Sequence, residues 1–207
     1  MRKSKKEQIL DIAAKHFSVH GYGGASLEEV AVEVGVTKPA IYYHFRDKSA
    51  LYESVLLGRL KRLADTIATA VEAIDTPEER LRNYIETFGS FLQRNGCFAA
   101  ILSHEFADNG TNMPDSATRE LARTLGILTA ILNDGIGSGE FEVENPMVIQ
   151  MMIVSTLIMH QTTKGLRKRV TTHVNGDFKV VPEPDMENLS KILARNIIRA
   201  VRREEKR

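Results

Sequence analysis

"VTKPAIYYHFRDKSALY", residues 36–52, sets Ile41, Tyr42, Tyr43, His44 and Phe45 side by side just after a proline. A short helix buries one face, so it cannot hide five consecutive large side chains. Ile41 and Phe45 are four apart and share a face, as core anchors do. The same geometry turns Lys38, Tyr42 and Tyr43 outward and leaves His44 at an edge. The outward rings and imidazole are then available to a partner.

The residues just upstream say which partner. Ser26 with Glu29 has capping-box spacing, and Leu27, Val30, Ala31 and Val34 form a short apolar stripe that ends at Gly35. "GVT" makes a short turn. Thr37 then caps the next helix, with Pro39 in its first turn, where a missing N–H costs nothing. Two short helices around a glycine turn form a helix-turn-helix, whose second helix enters the DNA major groove.

The chemistry fits that placement. A phenol or imidazole donates to phosphate oxygens, and an ammonium releases counterions. Lys38 reaches a guanine edge, Ala40 a thymine methyl, and Lys48 in the following helix a phosphate. N–H groups at the starts of the second and fourth helices hold phosphates, with the Ser26 hydroxyl beside them. The candidate DNA-binding residues are Ser26, Thr37, Lys38, Pro39, Ala40, Tyr42, Tyr43, His44 and Lys48. The competing reading makes the aromatic run a packing surface for a neighbouring domain, and Lys38 a phosphate contact or a solvated charge. Lys3, Lys5 and Lys6 form either a basic arm or a solvated terminus.

Charge is consistent with a polyanion at this end. Residues 1–62 hold 11 Lys/Arg against 7 Asp/Glu, a net of +4, while residues 63–207 hold 17 against 20, a net of −3. The single cysteine, Cys97, excludes an intrachain disulfide framework. No secretory signal is read at "MRKSKKEQIL", and "MVIQMMIVSTLIMH" (147–160) is too short for a membrane span. These features predict a cytoplasmic protein with no membrane partner.

Outside the quoted stretch the pattern is helical throughout. Ser4 and Glu7 have capping-box spacing before Ile9, Leu10, Ala13 and Phe17, and "GYGG" reads as the stop. Asp47 caps a long fourth helix with apolar positions from Leu51 to Ile74. Further helices follow Thr76-Pro77, run through "CFAAILSHEFA", follow Pro114, follow Pro146 and start near Asp185. "GIGSGEFEVEN" is expected to break the pattern before Pro146. The fold class is all-α with about nine helices, divided as 1–50, a three-helix DNA-binding head, and 51–207, a larger helical core. One segment disagrees: Asn175-Gly176 inside "TTHVNGDFKVV" predicts a small β-hairpin near 171–181.

The helix after Pro146 is apolar around most of its circumference and must be covered on nearly all sides. Paired with the last helix, it predicts a homodimer through the helices near 146–164 and 185–204. Completion of a monomer core is the alternative.

"SLEEVAVEVGVTKPAIYYHFRDKSALY" (26–52) resembles the DNA-binding segment of the tetracycline-repressor (TetR) family of bacterial transcriptional regulators. Ser26, Ala31, Gly35-Val36-Thr37, Ile41-Tyr42-Tyr43-His44-Phe45, Lys48 and Leu51 carry the resemblance, which covers roughly residues 5–55. Glu28 departs from it, at a position where that family sometimes holds a base-reading cation. The resemblance implies a homodimer on a palindromic operator in double-stranded DNA, and an effector pocket whose filling respaces the two heads. Side chains suited to that pocket are Tyr84, Phe88, Phe91, Phe98, Leu102, His104, Phe106, Leu128, Met152, Ser155, Met159 and His160. The expected function is therefore a repressor released by a small apolar or amphipathic ligand.

Two other classes compete with that reading. One is a helix-turn-helix regulator without an effector, controlled by a protein partner; the other is an all-α enzyme or adaptor. The glycine runs follow helices with no preceding strand, so they fit no nucleotide-binding fingerprint. No catalytic constellation is readable, no resident cofactor or metal is expected, and His104, Asp108 and His160 form a weak metal-ligand pattern.

Overall fold

The computed structural model describes residues 3–174 and 182–203. Ten helices follow one another: α1 Lys5–Gly24, α2 Leu27–Val34, α3 Lys38–His44, α4 Lys48–Glu72, α5 Pro77–Arg94, α6 Gly96–Ala107, α7 Asp115–Ser138, α8 Pro146–Thr162, α9 Lys164–Thr171 and α10 Met186–Val201. Among the described residues the only β feature is an isolated antiparallel bridge between Phe141 and Arg202. No helix among them is long and apolar enough to cross a membrane.

Two compact units form. The first joins residues 1–64 to 95–123, and the second joins 65–94 to 124–207, so α4 and α7 each supply residues to both.

In the first unit, α1 packs on α2 and on α6, and α2 packs on α3. The α1 stripe Ile9, Ala13 and Phe17 is buried, as are Leu27, Val30 and Ala31 of α2. Ser4 and Glu7 form the full capping box. Asp47 caps α4 by accepting the Ala50 N–H at 2.8 Å. Gly35 ends α2 with φ 72°, a left-handed conformation that glycine adopts without steric cost.

A second polar link lies deeper. Tyr52 of α4 is 1% exposed, and its hydroxyl donates to Glu105 Oε1 of α6 at 2.5 Å. Phe17 meets the Tyr52 ring edge-on at 4.7 Å. Desolvation, and then the Glu105 hydrogen bond, push the Tyr52 pKa well above the phenol range.

In the second unit, α5 packs on α8 and α10, which also meet each other. Tyr84 is fully buried, with its hydroxyl 2.8 Å from Gln150 Oε1 and 3.2 Å from the Thr124 carbonyl.

Two glycine runs behave differently from their reading as helix stops. α1 kinks at Gly21 but continues to Gly24. α7 runs through Gly135 and Gly137, and the positive φ comes only at Gly139. Phe141, left in a loop by the periodicity, is buried at 3% exposure, and a Cβ on Gly135 would collide with its ring. Gly135 therefore makes room inside a helix and does not end one.

α9 is the helix that apolar periodicity does not indicate, and it buries no residue. Arg167 ties it to the end of α8, donating to the Met159 carbonyl at 2.7 Å and the His160 carbonyl at 2.6 Å. Of the predicted hairpin near 171–181, Thr171 ends α9 and Thr172 and His173 form a turn; residues 175–181, with its Asn175-Gly176 centre, lie outside the described residues.

Candidate nucleic-acid interface

α3 has only seven residues, and two anchors hold it down: Ile41 at 0% and Phe45 at 4% exposure. Burying each stabilises the head by about 1.5–3 kcal/mol. Tyr43 is 87% exposed and Tyr42 44%, while His44 is half-buried at the edge. Tyr43 meets His44 edge-on at 5.1 Å. Pro39 and Thr37 are exposed; Ser26, Lys38, Ala40 and Lys48 are half-buried. Residues 37–44 thus come together on one short helix and its leading turn.

Thr37 caps α3 with its backbone, its carbonyl accepting the Ala40 N–H at 2.9 Å, and no side-chain cap bond forms. Its hydroxyl is therefore not spent on the helix. Ser26, by contrast, accepts the Glu29 N–H at 3.5 Å and donates to Glu28 at 3.1 Å.

The two lysines are held rather than free. Lys38 pairs with Glu28 and lies 5.9 Å from the centre of the Tyr42 ring. The Lys38 hydrogen bond holds the Glu28 carboxyl below its ordinary range, and Glu28 in turn raises the Lys38 ammonium. The acid that departs from the family pattern therefore neutralises the cation expected to read a base. Lys48 donates to the Gly23 carbonyl at 3.1 Å and sits over the Tyr22 ring at 5.0 Å. Partial burial lowers its pKa.

Other expected donors are likewise engaged. Lys3 pairs with Asp11 at 2.6 Å, Lys5 donates to the Val34 carbonyl at 3.4 Å, and Lys6 lies 5.7 Å from the Phe45 ring centre. At the start of α4 the Asp47 carboxylate already holds a backbone N–H; that bond is the main reason its pKa is lowered.

The residues expected to line an effector pocket separate by burial. Tyr84, Phe88, Phe91 and Leu128 are buried in the second unit, and Phe98 and Leu102 in the first. His104 Nε2 lies 3.2 Å from the Ser18 carbonyl in the first unit, and Phe106 is 50% exposed. Met152, Ser155 and Met159 face outward from α8. His160 is half-buried beside Arg167 and Glu183, and desolvation, followed by the Arg167 charge, lowers its pKa.

An open cleft of about 930 Å³ runs along α8, α9 and the chain leading into α10. Met159, His160, Leu166, Val170 and Leu189 line it, with Lys164, Arg167 and Lys168 among its walls. Met159 and His160 are among the side chains expected to line an effector pocket, whereas Leu166 and Val170 lie on α9, a helix that the apolar periodicity does not indicate.

Residues 9–55 match the family of bacterial regulatory proteins, tetR family, and residues 74–162 match the tetracyclin repressor-like C-terminal domain. The chain is 32% identical over 94 residues to the HTH-type transcriptional activator FasR of Mycolicibacterium smegmatis, a match spanning 45% of this chain and 43% of that relative. It is 24% identical over 141 residues to the fatty acid metabolism regulator protein of Bacillus subtilis, spanning 68% of this chain and 73% of the relative.

Among solved structures, FadR from Bacillus subtilis in complex with stearoyl-CoA superposes with a TM-score of 0.73 at 21% identity, covering 94% of this chain and 98% of that one. A tetR-family regulatory protein from Rhodococcus RHA1 superposes at 0.78 with 17% identity, covering 99% and 100%. At such identities the likeness speaks for the fold.

Proposed function

The chain belongs to the tetR family of bacterial regulatory proteins and is a DNA-binding transcriptional regulator; on that premise we propose that it is a homodimeric repressor released from a palindromic operator by a long-chain acyl ligand. The observation that carries the DNA-reading part is the outward set on α3, with Ile41 and Phe45 sealed beneath it.

Tyr42, Tyr43 and His44 hold phosphates, with Ser26, Thr37 and Lys48 beside them. Pro39 and Ala40 pack on the groove wall, where Ala40 meets a thymine methyl. Lys38 exchanges Glu28 for a base edge or phosphate on binding. One head reads one half-site, so tight binding needs two heads.

An outward stripe on α8 supports the dimer. Val148, Met151 and Met152 are 44%, 55% and 41% exposed, and Ile192 of α10 adds 37%. A stripe of large apolar side chains at helical spacing is stabilised by a dry partner face.

The acyl ligand is supported by the relatives: one is named for fatty acid metabolism and a structural neighbour holds stearoyl-CoA. The cleft suits such an amphiphile, with Met159, Leu166 and Val170 for the chain and Lys164 and Lys168 for anionic groups. Control then needs only a coupling of about 1–3 kcal/mol between ligand and DNA, which loosens the operator by roughly 5–150-fold. α4 is the proposed lever, since it starts at the DNA-binding head and supplies both compact units.

Titrating stearoyl-CoA into the protein bound to its own upstream duplex tests the reading. Release at saturating ligand is expected. Steep salt dependence without release would leave a DNA-binding regulator that answers to something else. A relative named as an activator makes the sign of control a second question, which transcription in vitro with and without the protein reads directly.

A further inference from the structure

Two helical pairs meet where α1 packs on α2. His16 and His20 lie four apart on α1, and Glu29 and Glu33 lie four apart on α2, so each pair shares a face. His16 Nε2 lies 2.9 Å from Glu33 Oε2. An ionised carboxylate only accepts, so neutral His16 carries its proton on Nε2 and its lone pair on Nδ1. That Nδ1 is buried with no hydrogen-bond partner among the described residues, and Glu29 Oε2 stands 3.7 Å away. The ring of His20 is 6.2 Å from that of His16, and ligand atoms of His16, His20 and Glu29 all lie within 4.8 Å of one another.

We propose that His16 Nδ1, a His20 ring nitrogen and a Glu29 carboxylate oxygen bind a transition-metal dication of the zinc class, with Glu33 orienting His16 from behind. The site uses none of the DNA-contact residues and does not depend on the acyl-ligand reading. Two imidazoles and one carboxylate are a donor set that zinc takes readily, with water in the fourth position. A ligating histidine whose other ring N–H is held by a carboxylate is the usual outer arrangement of such centres. Bonds of about 2.0–2.2 Å place tetrahedral ligand atoms roughly 3.3–3.6 Å apart. His20 is exposed and the Glu29 side chain is 62% exposed, so both can swing inward while His16 stays fixed. Lys15 stands 3.5 Å from the other Glu33 oxygen and balances the charge of that carboxylate.

The ion would clamp α1 to α2, the first helix of the DNA-reading pair. Its effect therefore falls on the rigidity of the head.

The test is calorimetric titration of Zn²⁺ into the chelator-treated full chain, repeated with His20→Gln, Glu29→Gln and Glu33→Gln. Co²⁺ then serves as a spectroscopic probe. One Zn²⁺ per chain is expected, with four-coordinate cobalt absorption and a rise in melting temperature on loading. His20→Gln and Glu29→Gln should each weaken binding by at least about 100-fold, and Glu33→Gln by roughly 10–100-fold. His20 and Glu29 lie at the surface, so both variants should keep the wild-type circular dichroism. Affinity weaker than millimolar in the wild type, or binding that survives His20→Gln and Glu29→Gln unchanged, would overturn the proposal and leave an ion-pair cluster.

Discussion

Two faces of this molecule expose large side chains, and they do so in opposite ways. On α3 the exposed groups are Tyr42 and Tyr43, rings that each carry a hydroxyl. On α8 they are Met147, Met151 and Met152, which have no polar handle beyond a weakly accepting sulfur. Water satisfies a phenol, and a phosphate oxygen satisfies it equally, so α3 can be covered and uncovered at little cost. A methionine stripe gains only when water is kept away from it. The first face suits a reversible partner that is itself hydrated, and the second a permanent dry one.

The sharpest way to break that contrast is to charge the dry face. Met151→Glu with Met152→Glu should dissociate the dimer and lower operator affinity by at least about 100-fold, since like charges facing across an interface cost several kcal/mol. Sedimentation velocity alongside anisotropy checks it; a double variant that remains dimeric removes α8 from the interface.

On the wet face the effects are smaller and should not depend on sequence. Lys48→Ala should weaken every duplex by about 10-fold in moderate salt and flatten the salt slope by about one. Undiminished affinity would mean that Lys48 stays on Gly23 in the complex. Tyr43→Phe keeps the ring and removes the hydroxyl, so a loss of about 1 kcal/mol, roughly 5-fold, should appear on specific and random DNA alike.

Smallest in size is Glu28→Gln. Freeing Lys38 should raise affinity only a few-fold while steepening the salt slope by about one phosphate contact. Lys38→Ala should instead change preference at one base position. If Glu28→Gln lowers affinity, the pair acts as a prearranged unit and the carboxylate is itself part of recognition.

Where each local signal had one physical solution, the sequence was easy to read. Ser4, Ser26 and Asp47 each accept the N–H expected of a cap, and Ile41 and Phe45 are buried as their spacing requires. Reading failed where the answer lay elsewhere in the chain. Gly135 looked like a stop because its reason, the Phe141 ring, sits six residues on and packs back. Glu28 looked like a plain departure because its partner is ten residues away in the next helix.

The histidine pair shows the same limit. His16-x₃-His20 and Glu29-x₃-Glu33 are both visible in the sequence, but only the pairing of α1 with α2 brings them face to face. Of the expected effector residues, Met152, Ser155 and Met159 share the outward side of α8, while Tyr84 and Leu128 are buried. An apolar helix does not reveal from its own sequence which of its sides will be left uncovered.

The outward α3 face is tested most directly by the affinity of the purified protein for its own upstream duplex, followed from about 50 to about 200 mM salt. A loss of roughly 10³-fold or more over that range is expected for a dimer making six or more phosphate contacts, with discrimination against random sequence that Lys38→Ala diminishes. A dimer that ignores every duplex at the lowest salt would contradict the account.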